Sequence, residues 1–450
     1  MTGVAVFYDR FELGTIAVAP DGRLTFRYDP RWQGAGGAFA VSLTLPLGRD
    51  SHPDARIAPW IANLLPEEAQ LGTLAGRLGL ARADSLAILR EIGGDTAGAL
   101  SFDAPSERAA WRWTALSDHY ARPDPAAALA RHFDDLAERP FLIGEDGVRL
   151  SLAGGQRKSA LAVLGPDGGP KLGLPGAGDR LAIPRNGAPS TVIVKPDNPH
   201  LPGIVENEAY CLALAHAIGI EAAQADIVTA GNRSALIVAR YDRAPGRDGQ
   251  ILRRHQEDLA QALGVLPGRK YQRGTLPGPS VADLLGVGGA GWQARFDSPA
   301  TLPASARARL IDQLIFNILV ANTDAHAKNY SLLLGPGDAV RMAPLYDVST
   351  VLAWPWVNQY FAQNIAGRKR KPGDIAGRHW DAIAAEAGLN PRQMRLRVAA
   401  MVDRIVANGP ATLRRLEASP GADAATLRHL AALIEANALR ILGRLDSAAD

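Results

Sequence analysis

Two acids and an amide in the last third of the chain have the types and spacing that phosphoryl transfer requires. Asp324 and Asn329 lie in the string DAHAKN, between an apolar helical run and the strand-like run YSLLL, and Asp347 follows in LYD. Transfer of a phosphoryl group needs a carboxylate that accepts or orients the hydroxyl proton, and it needs oxygen ligands for Mg²⁺. These three residues supply both types of group.

The step from Asp324 to Asn329 equals the Asp-x-x-x-x-Asn step of a protein-kinase catalytic loop, and Asp347 takes the place of its second, metal-binding aspartate. No Asp-Phe-Gly follows. Each residue alone would form an ordinary helix cap or turn, but the joint spacing favours phosphoryl transfer. Within the string, Lys328 could stabilise the transferred group or be a solvated loop lysine, and His326 is a supporting candidate.

A lysine that ends a predicted strand is a candidate for contact with nucleotide phosphates. Lys195 closes the run TVIVK, from which its side chain could reach phosphates under a neighbouring loop. Glu206 and Glu208 begin the next predicted helix, where the helix dipole also favours carboxylates. We predict that Glu208 pairs with Lys195 and holds it towards the nucleotide.

Three further segments complete the predicted nucleotide site. A small-residue loop is predicted to place its backbone N–H groups over phosphates, although it is neither a Walker A nor a Gly-x-Gly-x-x-Gly motif and by itself would indicate a hairpin. The segment that closes the β-rich part is predicted to be a hinge offering backbone groups to an adenine. A charged string after it would orient the catalytic loop, or else begin a helix. The phosphate loop comprises Leu152, Ala153, Gly154, Gly155, Gln156, Arg157 and Lys158, the hinge comprises Ala239, Arg240, Tyr241 and Asp242, and the charged string comprises His255, Gln256, Glu257 and Asp258.

Composition narrows the class of protein. The 450 residues are 47% hydrophobic, as in a globular protein, and the formal charge of +3 is weak support for direct DNA binding. The only cysteine, Cys211, excludes an internal disulfide, and no zinc-type cluster appears. Charged residues interrupt the first residues, so we do not expect a signal peptide. The longest apolar runs are interrupted by Asp, Gln or Asn before they reach the roughly 20 residues of a membrane span, so we expect a cytoplasmic protein.

The order of patterns predicts an α+β, bilobal protein-kinase-like fold. We expect a β-rich domain with helices over residues 1–140, a sheet with the phosphate loop over 141–245, and a mostly α-helical lobe over 246–450 that carries the catalytic and metal-binding residues. Alternating apolar residues predict strands in FAVSLTL and in VRLSLAGGQ, among others. A sheet lobe followed by a helical lobe is the order found in kinases, although many α+β proteins share it.

Strings along nearly the whole chain resemble the HipA family of serine/threonine kinase toxins. The first part is similar in FRYDPRW, NLLPEE, IGGD and AGALSF, and the later part in SLAGGQRKSAL, VIVKPD, ENEAYCLALA, ARYDR, HQEDLAQALG, NTDAHAKNYSLL and APLYDVST. The resemblance implies that Asp324 is the catalytic base and that Asn329 and Asp347 bind Mg²⁺. It also implies that Lys195 contacts the ATP phosphates, that the 152–158 loop covers them, and that Tyr241 and its neighbours form the adenine hinge.

The resemblance carries further expectations about regulation and partners. It implies autophosphorylation of Ser151, where a phosphate beside the loop would repel the ATP phosphates and expel the loop. Family members usually work with a helix-turn-helix antitoxin, which would provide most of the DNA contact, and their targets include aminoacyl-tRNA synthetases. Ala239, where an acidic residue can occur, and the variable loop positions Gly155 and Arg157 depart from the family pattern. A small-molecule kinase and a catalytically silent component of a repressor complex remain alternatives.

Overall fold

The computed structural model describes residues 3–273, 276–337 and 339–447. Its first region is an antiparallel sheet in the order β4-β3-β2-β1-β5, with helices packed beside it. The elements are β1 (Gly3–Tyr8), β2 (Phe11–Val18), β3 (Leu24–Tyr28), α1 (Pro30–Gln33), β4 (His52–Pro53), α2 (Asp54–Ala62), α3 (Glu68–Leu78), α4 (Ser85–Ile92) and β5 (Leu100–Phe102).

A second antiparallel sheet follows in the order β11-β12-β10-β7-β9-β6, with β8 paired to β7 outside this path. Its strand β10 carries Lys195, and the helix α7 packs against β11 and β12. The elements are β6 (Arg112–Ala115), α5 (Leu116–His119), α6 (Pro125–Glu138), β7 (Ser159–Leu164), β8 (Pro170–Lys171), β9 (Arg180–Arg185), β10 (Val192–Pro196), α7 (Ile204–Ala217), β11 (Ala225–Ala230) and β12 (Arg233–Ala239).

The last region is mainly helical but also contains short strands. β13 pairs with β14, and β15, β16 and β17 form a three-stranded sheet in that order. The elements are β13 (Arg243–Pro245), β14 (Ile251–Arg253), β15 (His255–Asp258), α8 (Leu259–Ala262), α9 (Val281–Gly286), α10 (Ala290–Phe296), α11 (Ala304–Leu319), β16 (Ser331–Gly335), β17 (Ala339–Met342), α12 (Gly377–Ala387), α13 (Pro391–Glu417) and α14 (Ala424–Leu442).

The second sheet lies between two hydrophobic cores. Successive side chains of a strand point to opposite faces, and in β12 Ala235 and Ile237 join the core of the first region whereas Leu236 and Val238 join the core of the helical region. In β10, Val194 faces the first core and Lys195 follows on the other face. One alternating strand pattern therefore holds the first region on one side and turns Lys195 towards the helices.

The mixed helix and sheet fold class is confirmed, and two predicted strands are wrong. FAVSLTL forms turns rather than a strand, because Val41 and Leu43 are held by side chains of Tyr28 and Glu257 instead of by a neighbouring strand. VRLSLAGGQ makes only isolated bridges, Leu150 to Asp95 and Gly154 to Pro66. No helix in the described ranges is long and apolar enough to cross a membrane.

The domain boundaries at 140 and 245 stay predictions. The second sheet takes one strand from the first predicted domain, since β6 pairs with β9. The core of the first region likewise includes residues of β7, β10 and β12. The first region is thus packed on the second sheet over a continuous apolar surface.

Buried charges join the first region to the end of the second sheet. Asp95 is 1% exposed, and its Oδ1 accepts hydrogen bonds from Arg243 Nη2 at 2.8 Å and from Arg253 Nε at 3.0 Å. Arg240 Nη1 lies 3.4 Å from its Oδ2. Ser190 also donates its hydroxyl to Asp95 Oδ2 at 2.6 Å. Burial alone would raise the pKa of Asp95, but the three guanidinium groups outweigh it and lower the pKa. The carboxylate is therefore ionised and central to the junction.

We expect Asp95→Asn to lower the free energy of unfolding by about 3–5 kcal/mol, because it removes the charged carboxylate that three buried arginines share. The measurement is the urea unfolding midpoint at pH 7 against wild type. Because the folded pKa lies below the unfolded value of about 3.9, the stabilisation is present above that pH and is lost as the pH falls, so the difference between the two proteins should narrow in acid.

Asp103→Asn is the matched control. Asp103 pairs with Arg90 at 3.4 Å, and the two side chains are 39% and 45% exposed. An exposed ion pair contributes about 0–1 kcal/mol to stability, so the urea unfolding midpoint of this variant should lie close to that of wild type. Equal midpoints for Asp95→Asn and Asp103→Asn would contradict the assigned importance of the buried junction.

Candidate active site

A cavity of about 550 Å³ lies between the second sheet and the helical region. Its walls contain an ionised lysine, several acids and amides, and a glycine-containing loop. Such a concave site with convergent polar groups is the usual form of a small-molecule site. The predicted residues that line it are Leu152, Ala153, Gly154, Gly155, Gln156, Lys158, Lys195, Glu208, Ala239, Arg240, Tyr241, Asp242, Gln256, Glu257, Asp258, Asp324, His326, Lys328, Asn329 and Asp347.

Lys195 forms the ion pair that was predicted with Glu208. Its Nζ donates to Glu208 Oε1 at 2.7 Å and Oε2 at 2.9 Å, and also to Asp347 Oδ1 at 2.8 Å. Burial opposes the charged ammonium, but the carboxylates of Asp347 and Glu208 outweigh burial and raise the pKa of Lys195. The lysine is therefore a fixed positive charge in the cavity wall.

Asp347 is held in a conformation that is uncommon for residues other than glycine. Its φ is +57°, in the left-handed region, which aspartate tolerates better than most residues. Burial tends to raise the pKa of its carboxyl, but Lys195 and Lys158 lower it overall. With its side chain 37% exposed towards the cavity, Asp347 presents an anionic oxygen beside the one that accepts from Lys195.

Hydrogen bonds of two asparagine side chains hold the loop that contains Asp324 and Asn329, which we call the catalytic loop. Asp324 N donates to the side chain of Asn322 at 3.2 Å, and Asn329 Nδ2 donates to the Asp324 carbonyl at 3.0 Å. A short 3₁₀ turn over Ala327–Asn329 brings the two ends of the Asp-x-x-x-x-Asn step together. The Asp324 side chain is 60% exposed and faces the cavity. The surrounding atoms still desolvate its carboxylate and, with Asp347 nearby, raise its pKa.

Asn329 and Asp347 have the chemistry of a magnesium pair. Both line the cavity and offer amide and carboxylate oxygens, which Mg²⁺ prefers. Within the described ranges, no group of three His, Cys, Asp or Glu side chains is arranged around a metal position. A two-residue donor set is what a magnesium ion shared with substrate phosphates requires, since water and phosphate oxygens supply its other ligands.

Lys328 lies in the cavity wall, where it ties the catalytic loop to other segments. Its Nζ donates to Asn63 O and Oδ1, each at 2.9 Å, and to Asp258 Oδ2 at 3.0 Å. These buried bonds fix its side chain between α2 and β15. Its predicted contact with a phosphoryl group stays a prediction.

The string from His255 to Asp258 forms strand β15, and its last residue, Asp258, also takes part in the start of a helix. The helix α8 starts at Leu259, with Asp258 as its N-cap. Asp258 reaches the catalytic loop through Lys328, whereas Glu257 accepts from Leu43 N at 2.9 Å and His255 bonds Val41 O at 2.8 Å. His255 lies outside the cavity lining, and burial raises the pKa of Glu257 to about 8.

The 152–158 loop folds against the first region instead of forming a free hairpin. Glu67 N donates to the Gly154 carbonyl at 3.3 Å, and Gln70 Nε2 donates to the Gly155 carbonyl at 2.7 Å. Gly154 has φ of +109°, a backbone conformation that is strained for residues with a side chain, so glycine is favoured there. Burial lowers the pKa of Lys158 to about 8.

Two residues next to this loop differ from its cavity-lining members. Arg157 is exposed and points to a shallow depression beside Leu136 and Phe141, outside the main cavity. Ser151 is fully buried, and its hydroxyl donates to the Leu64 carbonyl at 2.7 Å. Modification of Ser151 therefore requires this segment to leave its position.

The predicted hinge is held mainly through its side chains. Arg240 and Asp242 pair at 2.6 Å within the buried junction around Asp95, so only backbone groups and the Tyr241 ring are left for a ligand. Tyr241 donates to Gln256, and its ring lies 5.8 Å from that of Tyr346.

Sequence reasoning missed several residues that contact the catalytic loop. Tyr271 donates its hydroxyl to Asp324 Oδ1, and Lys270 pairs with Glu67. Tyr271 is 53 positions before Asp324, and Asn63 is 265 positions before Lys328. Spacing along the chain therefore held no signal for them; the cluster RKYQR was the one local hint.

Two family models match most of this chain. The family model described as HipA N-terminal domain matches residues 4–103, and the one described as HipA-like C-terminal domain matches residues 150–409. Y4mE of Sinorhizobium fredii, whose name describes a kinase, is 34% identical over 401 residues, which cover 88% of this chain and 89% of that protein.

Two comparisons involve Shewanella oneidensis. Its serine/threonine-protein kinase toxin HipA is 33% identical over 342 residues, covering 75% of this chain and 72% of that protein. A solved structure of a toxin-antitoxin complex of HipA, HipB and operator DNA contains a chain that matches with a TM-score of 0.78 and 27% identity over 98% of both chains. The chain therefore belongs to the HipA family of serine/threonine protein kinase toxins, as its motifs predicted.

Proposed function

We propose that this chain transfers the γ-phosphate of ATP to serine or threonine hydroxyls of a protein, with Mg²⁺ as cofactor. The observation that carries the proposal is the convergence of Asp324, Asn329, Asp347 and Lys195 on one cavity covered by the 152–158 loop. Catalysis of phosphoryl transfer is mostly positioning and electrostatic stabilisation, and these groups supply both.

The acceptor hydroxyl is activated by Asp324 in this proposal. The carboxylate accepts or orients the hydroxyl proton while the acceptor oxygen attacks the γ-phosphorus and the bond to the ADP oxygen breaks. The exposure of Asp324 towards the cavity gives a protein side chain access to it. Burial and the nearby Asp347 carboxylate raise the pKa of Asp324, which makes it a better proton acceptor than an ordinary carboxylate.

The ATP phosphates are oriented by fixed positive and N–H groups. Lys195, held by Glu208, would contact the phosphates, and Lys158 and the backbone of the 152–158 loop would cover them. Mg²⁺ held by Asn329 and Asp347 would neutralise charge on the phosphate oxygens. The adenine would lie against the 239–242 segment and the ring of Tyr241.

We also propose that Ser151 is an autophosphorylation site that silences the enzyme. A phosphoserine carries nearly two negative charges, which the buried pocket under Leu64 cannot hold without ejecting the segment. Ejection would carry Lys158 and Gly154 away from the phosphates. This link between modification and inactivation depends on the docked loop geometry.

For partners, we propose a helix-turn-helix antitoxin and a translation-related target such as an aminoacyl-tRNA synthetase. The antitoxin is supported by the matched HipA, HipB and operator DNA complex. A formal charge of +3 gives this chain little electrostatic attraction of its own for DNA, so the antitoxin would supply most DNA contact. The synthetase rests on the family resemblance alone.

Asp324→Asn should reduce phosphate transfer by at least about 100-fold, because general-base catalysis contributes about 10²–10⁴ in rate. The measurement is mass spectrometry and radioactive phosphate incorporation after incubation with ATP, with and without Mg²⁺; omission of Mg²⁺ should abolish transfer by wild type. Asp403→Asn, on the exposed side of α13, is the matched control and should retain wild-type activity. Equal incorporation by Asp324→Asn and wild type would refute the assignment.

Ser151→Ala should remove the phosphate at this position and keep the protein active after prolonged incubation with ATP, whereas wild type should lose activity as Ser151 becomes modified. Peptide mapping by mass spectrometry, paired with an activity time course, measures both. A variant that gains phosphate as fast as wild type, with the same activity afterwards, would contradict the proposal.

Co-expression with a helix-turn-helix protein from the same operon should yield a stable complex on size-exclusion chromatography. The complex should shift operator DNA in a gel at a salt concentration where this chain alone does not, since the antitoxin carries the DNA-reading element. An equal shift by the chain alone would show that DNA contact is not mediated by the partner.

A further inference from the structure

Tyr271 touches the group that the proposed mechanism uses as the base. Its hydroxyl donates a hydrogen bond to Asp324 Oδ1. Its ring lies edge-on to His326, with 4.8 Å between the ring centroids, and the Arg273 guanidinium lies 4.8 Å from the ring centroid. Tyr271 thus fills the space between the catalytic loop and the segment that precedes α9.

The chain on both sides of Tyr271 is anchored. On one side, Lys270 pairs with Glu67, and Ala327 N donates to the Lys270 carbonyl at 3.3 Å. On the other side, the N–H groups of Gln272 and Arg273 donate to the Ala362 carbonyl at 3.0 and 3.2 Å. These contacts make Tyr271 part of a built wall.

Arg273 fixes this wall to the catalytic loop a second time. Its Nη1 donates to the Thr323 carbonyl at 3.1 Å, and its Nη2 lies 3.9 Å from Asp324 Oδ1. The same carboxylate oxygen therefore faces both the Tyr271 hydroxyl and a guanidinium. Asp324 Oδ2 is the oxygen left for an acceptor hydroxyl.

We infer that Tyr271 is a positioning residue, which holds the Asp324 carboxylate by Oδ1 so that Oδ2 faces the acceptor hydroxyl. The inference rests on the proposed kinase function and deepens it. Asp324 otherwise has a side chain that is 60% exposed and is free to rotate about χ1 and χ2. A directed hydrogen bond to one oxygen removes most of that freedom before the substrate arrives.

The phosphoryl-transfer step needs no reactant besides ATP and the acceptor hydroxyl. In the transfer step, the acceptor O–P bond forms, the bond from the γ-phosphorus to the ADP oxygen breaks, and the hydroxyl proton passes to Asp324 Oδ2. Tyr271 keeps its own proton, because burial and the neighbouring Asp324 carboxylate raise the pKa of its hydroxyl. Tyr271 therefore acts through Asp324 and exchanges nothing with the substrate.

Tyr271→Phe tests this role because it deletes the hydroxyl and keeps the ring that packs on His326. A hydrogen bond to a charged group typically carries enough free energy for an effect of about 10-fold or more, so kcat should fall by that factor. KM for ATP and the calorimetric affinity for ATP should stay unchanged, because Lys195 and the 152–158 loop are intact. Incorporation of p-aminophenylalanine at position 271, which restores an N–H donor, should recover part of kcat.

The matched control is Tyr360→Phe, which removes a hydroxyl from a tyrosine that is 37% exposed and should leave kcat unchanged. In the Asp324→Asn background, Tyr271→Phe should lower kcat little further. Tyr271 acts only through the Asp324 carboxylate, which that background already lacks, so the two effects should not add.

Three other results would contradict the positioning role, the kinase function or both. If wild type is active and Tyr271→Phe keeps its kcat, the positioning role is overturned while the kinase function stands. A rise in kcat would show that Tyr271 blocks the acceptor position. A wild type that transfers no phosphate would overturn the kinase function, and with it this role.

Discussion

The buried ammonium of Lys195 is the constraint around which the active-site cavity is built. A buried charge is costly unless it is paired and hydrogen-bonded, and Lys195 satisfies that requirement with two carboxylates at 2.7 and 2.8 Å. Glu208 and Asp347 lie 13 and 152 positions further along the chain. These two ion pairs therefore fix β10, α7 and the segment after β17 relative to one another. The cavity residues on these three elements are positioned by the same contacts.

The second constraint is the junction around Asp95, which connects the first region to two segments near the cavity. Through Arg240 and its partner Asp242, the junction reaches the predicted hinge. Through its backbone carbonyl, which accepts from Ser151 N at 3.1 Å, it reaches the start of the phosphate loop. Asp95 thus contacts both the predicted hinge and the residue that precedes the 152–158 loop.

Residues with local spacing could be predicted from the sequence, and residues brought in from far along the chain could not. The Asp324-to-Asn329 step is set by one turn, and the Lys195–Glu208 pair connects a strand to the helix that follows it, so short-range rules sufficed. Tyr271, Asn63 and Glu67 contact the catalytic loop only because the first region and the segment before α9 pack against it. FAVSLTL was predicted to be a strand because its apolar alternation is real. That alternation reflects burial beneath the Tyr28 and Glu257 side chains, which periodicity cannot distinguish from strand pairing.

The first region is part of the proposed phosphate site rather than an attachment to it. A free glycine-containing hairpin would have to lose its conformational entropy when it closes over phosphates. Here the loop is already ordered, because Leu64, Glu67 and Gln70 bind Ser151, Gly154 and Gly155 in turn. Glu67 also pairs with Lys270, the neighbour of Tyr271. The segment between α2 and α3, together with the first turn of α3, therefore supports both the loop proposed to cover the donor phosphates and the residue proposed to orient the base. Glu67 therefore contacts both the 152–158 loop, through its backbone N–H, and the Tyr271 segment, through its carboxylate.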